Sequence, residues 1–160
     1  MKVNKKFQAL ALTASLIAGY EGYSNVGYRD PTGLDTICWG STIGLDGKPI
    51  KSGQKYSDAE CESLFWKDIL AHKAIVEKFT KVTLTEPQKV SITSFVYNIG
   101  EGNYRTSTFL RRINNGEDVG KVCLQEFPKW NKSKGIILPG LIRRRADEAK
   151  ICNMESLDDK

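Results

Sequence analysis

Between residues 23 and 55 the chain is cut into short pieces by glycine, at 27, 33, 40, 44, 47 and 53. The runs between them are only a few residues long, as in Thr36-Ile37-Cys38-Trp39, and Asp46-Gly47 is a hairpin turn signal. A small antiparallel sheet is expected there. The flanks read differently. Before it, a helix starting near residue 5 should stop at Glu21-Gly22, where glycine ends it. After it, Ser57-Asp58-Ala59-Glu60 forms a capping box, with Tyr56 and Cys61 placed as the flanking staple. Leu64, Phe65, Asp68, Ile69, His72, Ile75, Val76 and Phe79 then mark a long helix, the rod that joins a sheet lobe to a helical lobe.

Thr85-Glu86-Pro87-Gln88 opens a second helix, with Pro tolerated in the first turn and Gly100 past the end. Further helices are expected over 107–115, stopped by Gly116, over 117–129 and over 140–152. The class is α+β, mostly α, with a cleft between two lobes. A chain of 160 residues with no linker, repeat or low-complexity stretch suits one domain over 1–160, with its sheet lobe at 23–55 and its helical part at 57–152. That length can bury a core without metal or cofactor, and neither is expected.

The formal net charge of +5 points toward an anionic partner: nucleic acid, a membrane surface or a cell-wall polymer. Arg111-Arg112 and Arg143-Arg144-Arg145 carry part of it, each within a helical stretch, where a solvated helix face is the plainer reading. Nothing in the sequence matches a nucleic-acid-reading motif, so no nucleic-acid partner is expected. One histidine, His72, and four cysteines without a C-x-x-C pair supply a zinc site poorly. Cys38, Cys61, Cys123 and Cys152 are an even, widely spaced set that fits two disulfides and an oxidising compartment, against buried free thiols in a cytosolic chain. Four cysteines allow three pairings.

Lys2, Lys5 and Lys6 precede an Ala-, Leu-, Ile-, Ser- and Thr-rich run from Phe7 to Tyr20. The combination is similar to a signal peptide, but no small-x-small cleavage site follows. As a helix the run would span about 21 Å, short of a hydrocarbon core of roughly 30 Å. Phe7, Leu10, Ala14 and Ile17 lie on one face, Leu12 and Leu16 on another. A helix so apolar around its circumference is buried in protein or in lipid.

Three residues carry candidate chemistry: Glu21, Asp30 and Thr36. Glu21 ends the apolar first helix, a placement that can set a carboxyl against apolar surface and raise its pKa, as a general acid requires. Asp30, on a glycine-bounded loop, should stay ionised, and Thr36 adds a hydroxyl able to hold a water. Glycoside hydrolysis needs this division between a proton donor and a second carboxylate. By themselves, two acids and a threonine recur by chance.

Their surroundings narrow the choice. Glu21-Gly22, Tyr28-Arg29-Asp30, Gly33 and Thr36-Ile37-x-x-Gly40 resemble the active-site region of the phage T4-type lysozymes, the family 24 muramidases. Phe95-Val96-Tyr97-Asn98-x-Gly100, then Thr106-Ser107-Thr108 and Leu110, resemble that family's central helix and cleft segment. Gly140-Leu141-x-x-Arg144-Arg145 resembles its C-terminal motif. The blocks keep the family's order over nearly the whole chain.

The resemblance implies a peptidoglycan hydrolase acting on the β-1,4 bond between N-acetylmuramic acid and N-acetylglucosamine. Glu21 would be its general acid, and Asp30 and Thr36 would position the water. It implies sugar contacts at Tyr97, Asn98 and Ser107, although core packing is an equal reading for Tyr97. Where the family has a histidine shortly after the threonine, this chain has Ser41, and no imidazole role carries over. Among these lysozymes the cysteines are similar to those of disulfide-containing signal-anchor-release endolysins, which implies Cys38–Cys61 and Cys123–Cys152.

Removing the first 20 or so residues would delete the helix that ends at Glu21. The expectation is therefore a retained segment, with transient inner-membrane association through residues 7–20, lysines on the cytoplasmic side and release to the host periplasm. The alternative is a lysozyme held in the cytoplasm until a holin releases it. A monomer is expected, with peptidoglycan glycan strands as its partner. The competing functions are a lytic transglycosylase, disfavoured because Asp30 and Thr36 suit a held water, and a non-catalytic wall-binding protein, disfavoured because both acids are present.

Overall fold

The computed structural model describes residues 4–158. Helix α1 (Lys5–Tyr20) starts where the Asn4 side chain accepts from the Lys6 N–H, and stops where Glu21 turns extended while still donating to the Ile17 carbonyl. It buries Ala9, Thr13 and Ile17, one stripe at four-residue spacing. Of the face anticipated from Phe7, Leu10, Ala14 and Ile17, Ile17 is buried and Leu10 and Ala14 pack half-buried against the same cluster, while Phe7 is 65% exposed. Thr13 can join the buried stripe because its hydroxyl donates to the Ala9 carbonyl, which satisfies it locally. Among the described residues no helix is long and apolar enough to cross a membrane.

Strands β1 (Ser24–Arg29) and β2 (Asp35–Cys38) form an antiparallel pair in which Tyr28 faces Thr36 and Arg29 faces Asp35, with an irregularity between Ser24 and Tyr28. Gly27 sits at that irregularity because a Cβ there would lie 2.4 Å from the Lys51 carbonyl oxygen. The rest of the glycine-rich segment is held by isolated bridges and by the turn at Asp46-Gly47, where the aspartate side chain accepts from the Lys48 N–H. Glycine therefore leaves much less regular strand than a full small sheet over 23–55. A separate core of Ile37, Cys38, Ile50, Cys61 and Leu64 fills this lobe.

Helix α2 (Asp58–Phe79) begins on the predicted capping box, with Ser57 and Glu60 exchanging side-chain and backbone hydrogen bonds. The Cys38–Cys61 disulfide ties its first turn to β2. Helix α3 (Glu86–Ile99) also starts on a capping box, Thr85 with Gln88, and runs through the middle of the helical lobe, packed against α1, α2 and the C-terminal helix. Around it lie α4 (Glu101–Thr106), α5 (Thr108–Asn114), α6 (Val119–Glu126) and α7 (Pro139–Cys152). Phe95, Phe109 and Phe127 meet with ring centroids 4.4–5.6 Å apart at the centre of this core, and Cys123–Cys152 joins α6 to α7.

Three features of the helical lobe differ from the sequence reading. Gly100 ends α3 with φ +85° but opens α4 at once, so the glycine makes a corner between helices. The helix expected over 117–129 stops at Glu126, because Pro128 cannot donate to an α-helical ladder, and a single 3₁₀ turn (Phe127–Lys129) follows. Beyond it β3 (Lys132–Ser133) and β4 (Ile136–Ile137) form a hairpin that sequence periodicity does not reveal, since each strand has two residues. Its turn places both Lys134 and Gly135 at positive φ, +49° and +77°.

Each disulfide closes a loop, its partners 23 and 29 positions apart in sequence. Loop-closure entropy assigns such a cross-link about 3–4 kcal/mol. The Cys123→Ala/Cys152→Ala variant is expected to lose about that much in urea unfolding, and dithiothreitol should bring the parent chain to a lower midpoint as well. An unchanged midpoint for both would refute the assignment.

Candidate active site

The cleft between the sheet lobe and the helical lobe has a volume of about 780 Å³. Glu21, Tyr28, Asp30, Thr36 and Ser41 line it from the N-terminal third, Asp68 and His72 from α2, Tyr97 and Asn98 from the end of α3, and Trp130, Lys132 and Ser133 from the hairpin side. The fold thus brings Glu21, Asp30, Thr36, Tyr97 and Asn98 to one cavity.

Glu21 is placed by the end of α1. Its Oε1 accepts from Arg144 Nη1 at 2.6 Å, and a Cβ at Gly40 would lie 3.0 Å from its Oε2. Gly40 therefore leaves room for this carboxyl. The immediate neighbour of Glu21 is a guanidinium, and not the apolar surface expected at the end of an apolar helix. Arg144 arrives from α7, far away in sequence.

Behind Arg144 stands a buried charge cluster. Glu148 is fully buried, accepts from Ser94 Oγ at 2.6 Å, and lies 3.4 Å from Arg144 Nε and 2.7 Å from Arg145 Nε. Arg144 also donates to the Ser94 carbonyl. The Arg145–Glu148 contact is close, but its angle falls outside hydrogen-bond geometry, so Arg145 Nε and Nη1 and Glu148 Oε1 lack hydrogen-bond partners among the described residues. Burial dominates both groups, pushing the Glu148 carboxyl up and the Arg145 guanidinium down to about 10. Arg144 and Arg145 are 2% and 1% exposed, so of this basic run Arg143 alone is exposed to solvent. Arg112 is likewise engaged, by Glu117 and Glu126.

Asp30 sits in the turn between β1 and β2. Its Oδ1 accepts from the Thr32 N–H, the Thr32 hydroxyl and the Leu34 N–H at 2.6–2.9 Å. Burial alone would raise this carboxyl, but the Thr32 hydroxyl and the backbone N–H groups of Leu34, Thr32 and Gly33 outweigh it and hold the pKa below the ordinary aspartate value. Among the described residues its side-chain hydrogen bonds fall on Oδ1, so Oδ2 meets no donor among them. Thr36, buried on β2, donates to the Leu34 carbonyl at 3.1 Å, which leaves its oxygen lone pairs as acceptors.

Tyr97 donates its hydroxyl to the Trp39 carbonyl at 2.7 Å and packs its ring against His72 at 4.8 Å, so it both supports the lobes and lines the cleft. Asn98 is exposed beside it. Ser107 is not brought to the cleft. It is buried as the cap of α5, accepting from the Leu110 N–H and donating its proton to the Tyr104 carbonyl, so its hydroxyl serves its own helix away from the cleft.

The cleft also contains a carboxyl that residue patterns did not single out. Asp68 takes a hydrogen bond from Ser41, the residue that stands in the family's histidine position, and its own backbone carbonyl bonds His72 Nδ1 at 2.7 Å. Burial, the largest influence, raises the Asp68 pKa against the opposing pulls of Ser41, His72 and Lys67. The available signal was the Asp68–His72 spacing of four residues, which puts both on one helix face.

A two-lobed α+β domain with three carboxyls, a buried threonine and a tyrosine around one long cleft has the architecture of a lysozyme-like glycan-cleaving protein. Comparison with known proteins agrees. A family model described as phage lysozyme matches residues 18–148. The SAR-endolysin of Bacteriophage PS119 is 37% identical over 150 residues, covering 90% of this chain and 86% of its own. The solved endolysin from Escherichia coli O157:H7 phage FAHEc1 superposes with a TM-score of 0.74 at 30% identity, covering 96% of this chain and 95% of its own. The muramidase domain of SpmX from Asticaccaulis excentricus does so with a TM-score of 0.75 at 27% identity, covering 89% and 95%. The chain belongs to the phage lysozyme family.

The two cleft aspartates should respond to pH with opposite sign. A carboxyl with a raised folded-state pKa contributes stability below its unfolded value and loses it as pH rises through the folded one. Asp68→Asn, whose amide oxygen still accepts from Ser41, should therefore raise the neutral-pH Tm, with the gain vanishing below the ordinary aspartate value of 3.8. Asp30 is depressed, so its contribution is present above that value and lost as pH falls through the folded one. Asp30→Asn should lower the neutral-pH Tm, with the deficit closing in acid. Calorimetric scans across pH decide both, and parallel curves for variant and parent would contradict the electrostatic account.

Proposed function

We propose that this chain is an endolysin of the family 24 muramidase type, lysing the host by hydrolysing the β-1,4 bond between N-acetylmuramic acid and N-acetylglucosamine of peptidoglycan. Glu21 is the general acid. With Oε1 engaged by Arg144, Oε2 is the oxygen that carries the proton to the glycosidic oxygen as the bond breaks. Asp30 and Thr36 serve the other half of the reaction. A water donating one hydrogen to Asp30 Oδ2 and the other to Thr36 Oγ1 keeps a lone pair for the anomeric carbon, and Asp30 takes the proton as the new C–O bond forms. The configuration inverts, which calls for a carboxyl separation of about 6.5–9.5 Å in the working complex.

The observation that carries this reading is the asymmetry of the two acids. Asp30 is held ionised by three donors on one oxygen, while Glu21 is anchored by one oxygen with the other unengaged among the described residues. A lytic transglycosylase needs only the acid, and the water-holding pair favours hydrolysis. Asn98 and the ring of Tyr97 are assigned as sugar contacts, and Ser107 is not. The protein acts as a monomer without a cofactor, its only substrate the glycan strand.

The SAR-endolysin relatives support the export route as well. Residues 7–20 associate transiently with the inner membrane, stay on the chain, and become α1 in the host periplasm. Burial of Ala9, Thr13 and Ile17 and the position of Glu21 at the end of this helix favour retention over cleavage, and 1–160 then works as one domain.

Purified peptidoglycan digested with the parent protein should yield reducing muramic ends by mass spectrometry, and Glu21→Gln should slow their release by about 10²–10⁴-fold without lowering strand binding. Anhydro-muramic ends would reassign the chain as a transglycosylase. Binding without any product from the parent would make it a wall-binding module. Expressed alone in a Gram-negative cell, the full-length chain should be recovered from the periplasm at its uncleaved mass, and confinement to the cytoplasm would refute the export route.

A further inference from the structure

The β3–β4 hairpin and the first turn of α7 carry an apolar patch that the catalytic reading does not use. Ile136, Ile137, Leu138 and Ile142 are 65%, 54%, 39% and 48% exposed. The Ile142 N–H donates to the Leu138 carbonyl, which places that side chain one turn from the hairpin. Successive side chains of a strand point to opposite faces, so Ile136 and Ile137 make both faces of the ribbon apolar. Among the described residues the two strands are paired only with each other. Chains normally make such tips polar, and an exposed aliphatic cluster marks an interaction site.

The surrounding charge has one sign. From Phe127 through Ala146 there is no acidic residue, and Lys132, Lys134 and Arg143 are exposed around the aliphatic tip. Lys134 stands at φ +49° in the hairpin turn, where glycine or asparagine is the unstrained choice. A cation is kept at the extremity of the ribbon despite that preference. Aliphatic groups at the tip, ringed by cations, match the acyl–headgroup boundary of an anionic bilayer. A wall polymer or nucleic acid would satisfy the cations and leave the isoleucines in water. A two-residue-wide ribbon is also small against the roughly 800 Å² per partner of a stable protein interface.

We propose that this tip is a peripheral docking site for a bilayer rich in anionic phospholipid, separate from residues 7–20. Trp130, Lys132 and Ser133, next to the tip, line the cleft, so docking holds the mouth of the cleft at the lipid surface. The inference does not depend on the muramidase assignment.

Vesicle flotation of the full-length chain tests it, with phosphatidylcholine–phosphatidylglycerol vesicles against phosphatidylcholine alone. The parent should bind the anionic vesicles, and Ile136→Ser/Ile137→Ser should weaken binding at least tenfold while cleaving solubilised glycan at the parent rate. Lys134→Gln should weaken it about fivefold, and Phe7→Ser should leave the loss caused by the isoleucine pair intact. As a second readout, Ile137→Trp should shift its emission to the blue on binding. The proposal is overturned if the isoleucine variant binds like the parent. Sensitivity to Lys134 alone would make the contact electrostatic adsorption, and loss of glycan binding without loss of vesicle binding would make the hairpin part of the sugar site. Either result also rejects it.

Discussion

The ion pair between Glu21 and Arg144 is the contact on which the site depends. It joins the end of the first helix to the last helix across 123 positions of sequence. Arg144 can hold that position only because Glu148 and Ser94 receive the rest of its donors within the protein. Removing two guanidiniums and a carboxylate from water is expensive, and such pairs are weak contributors to net stability. Incomplete hydrogen bonding of Arg145 and Glu148 makes this cluster less economical still. A cluster of this kind is better understood as a device for placing a charge beside Glu21 than as a source of stability.

The opposite requirement shapes Asp30. Its carboxyl is stabilised by the local turn that carries it, through donors within four residues, so its environment is assembled by the sheet lobe alone. Cys38–Cys61 and the small core around Ile37 and Leu64 then fix that lobe to the first turns of α2. One acid is therefore held by long-range tertiary contacts and the other by a short loop. The two lobes can differ in local stability without disturbing the local environment of Asp30.

Several features were readable from residues alone. Both capping boxes began helices where expected, because an N-cap side chain and its N3 partner meet within four residues. Both implied disulfides are present in the fold. The residues Glu21, Asp30, Thr36, Tyr97 and Asn98 line one cleft. Features set by distant partners were not readable. The basic run at 143–145 suggested a solvated or anion-binding face, whereas Arg144 and Arg145 are buried, since charge in a sequence gives no sign of the acid that will cover it. Ser107 suggested a sugar contact, but a serine hydroxyl at an N-cap position is taken up by its own helix. The buried stripe of α1 also takes in Thr13, which no apolar pattern marks, because its hydroxyl is satisfied at the Ala9 carbonyl.

The sequence by itself determined the order and type of the main elements, the family and the candidate acids, because capping, turn chemistry and short motifs act over a few residues. Tertiary structure decided what surrounds each acid. Arg144 beside Glu21 and Ser41 beside Asp68 arise from packing between segments far apart in the chain, and the same packing sets the local isoleucine ribbon at the lip of the cleft. Electrostatic environment is a property of neighbours in space, and those neighbours exist only once the chain has folded.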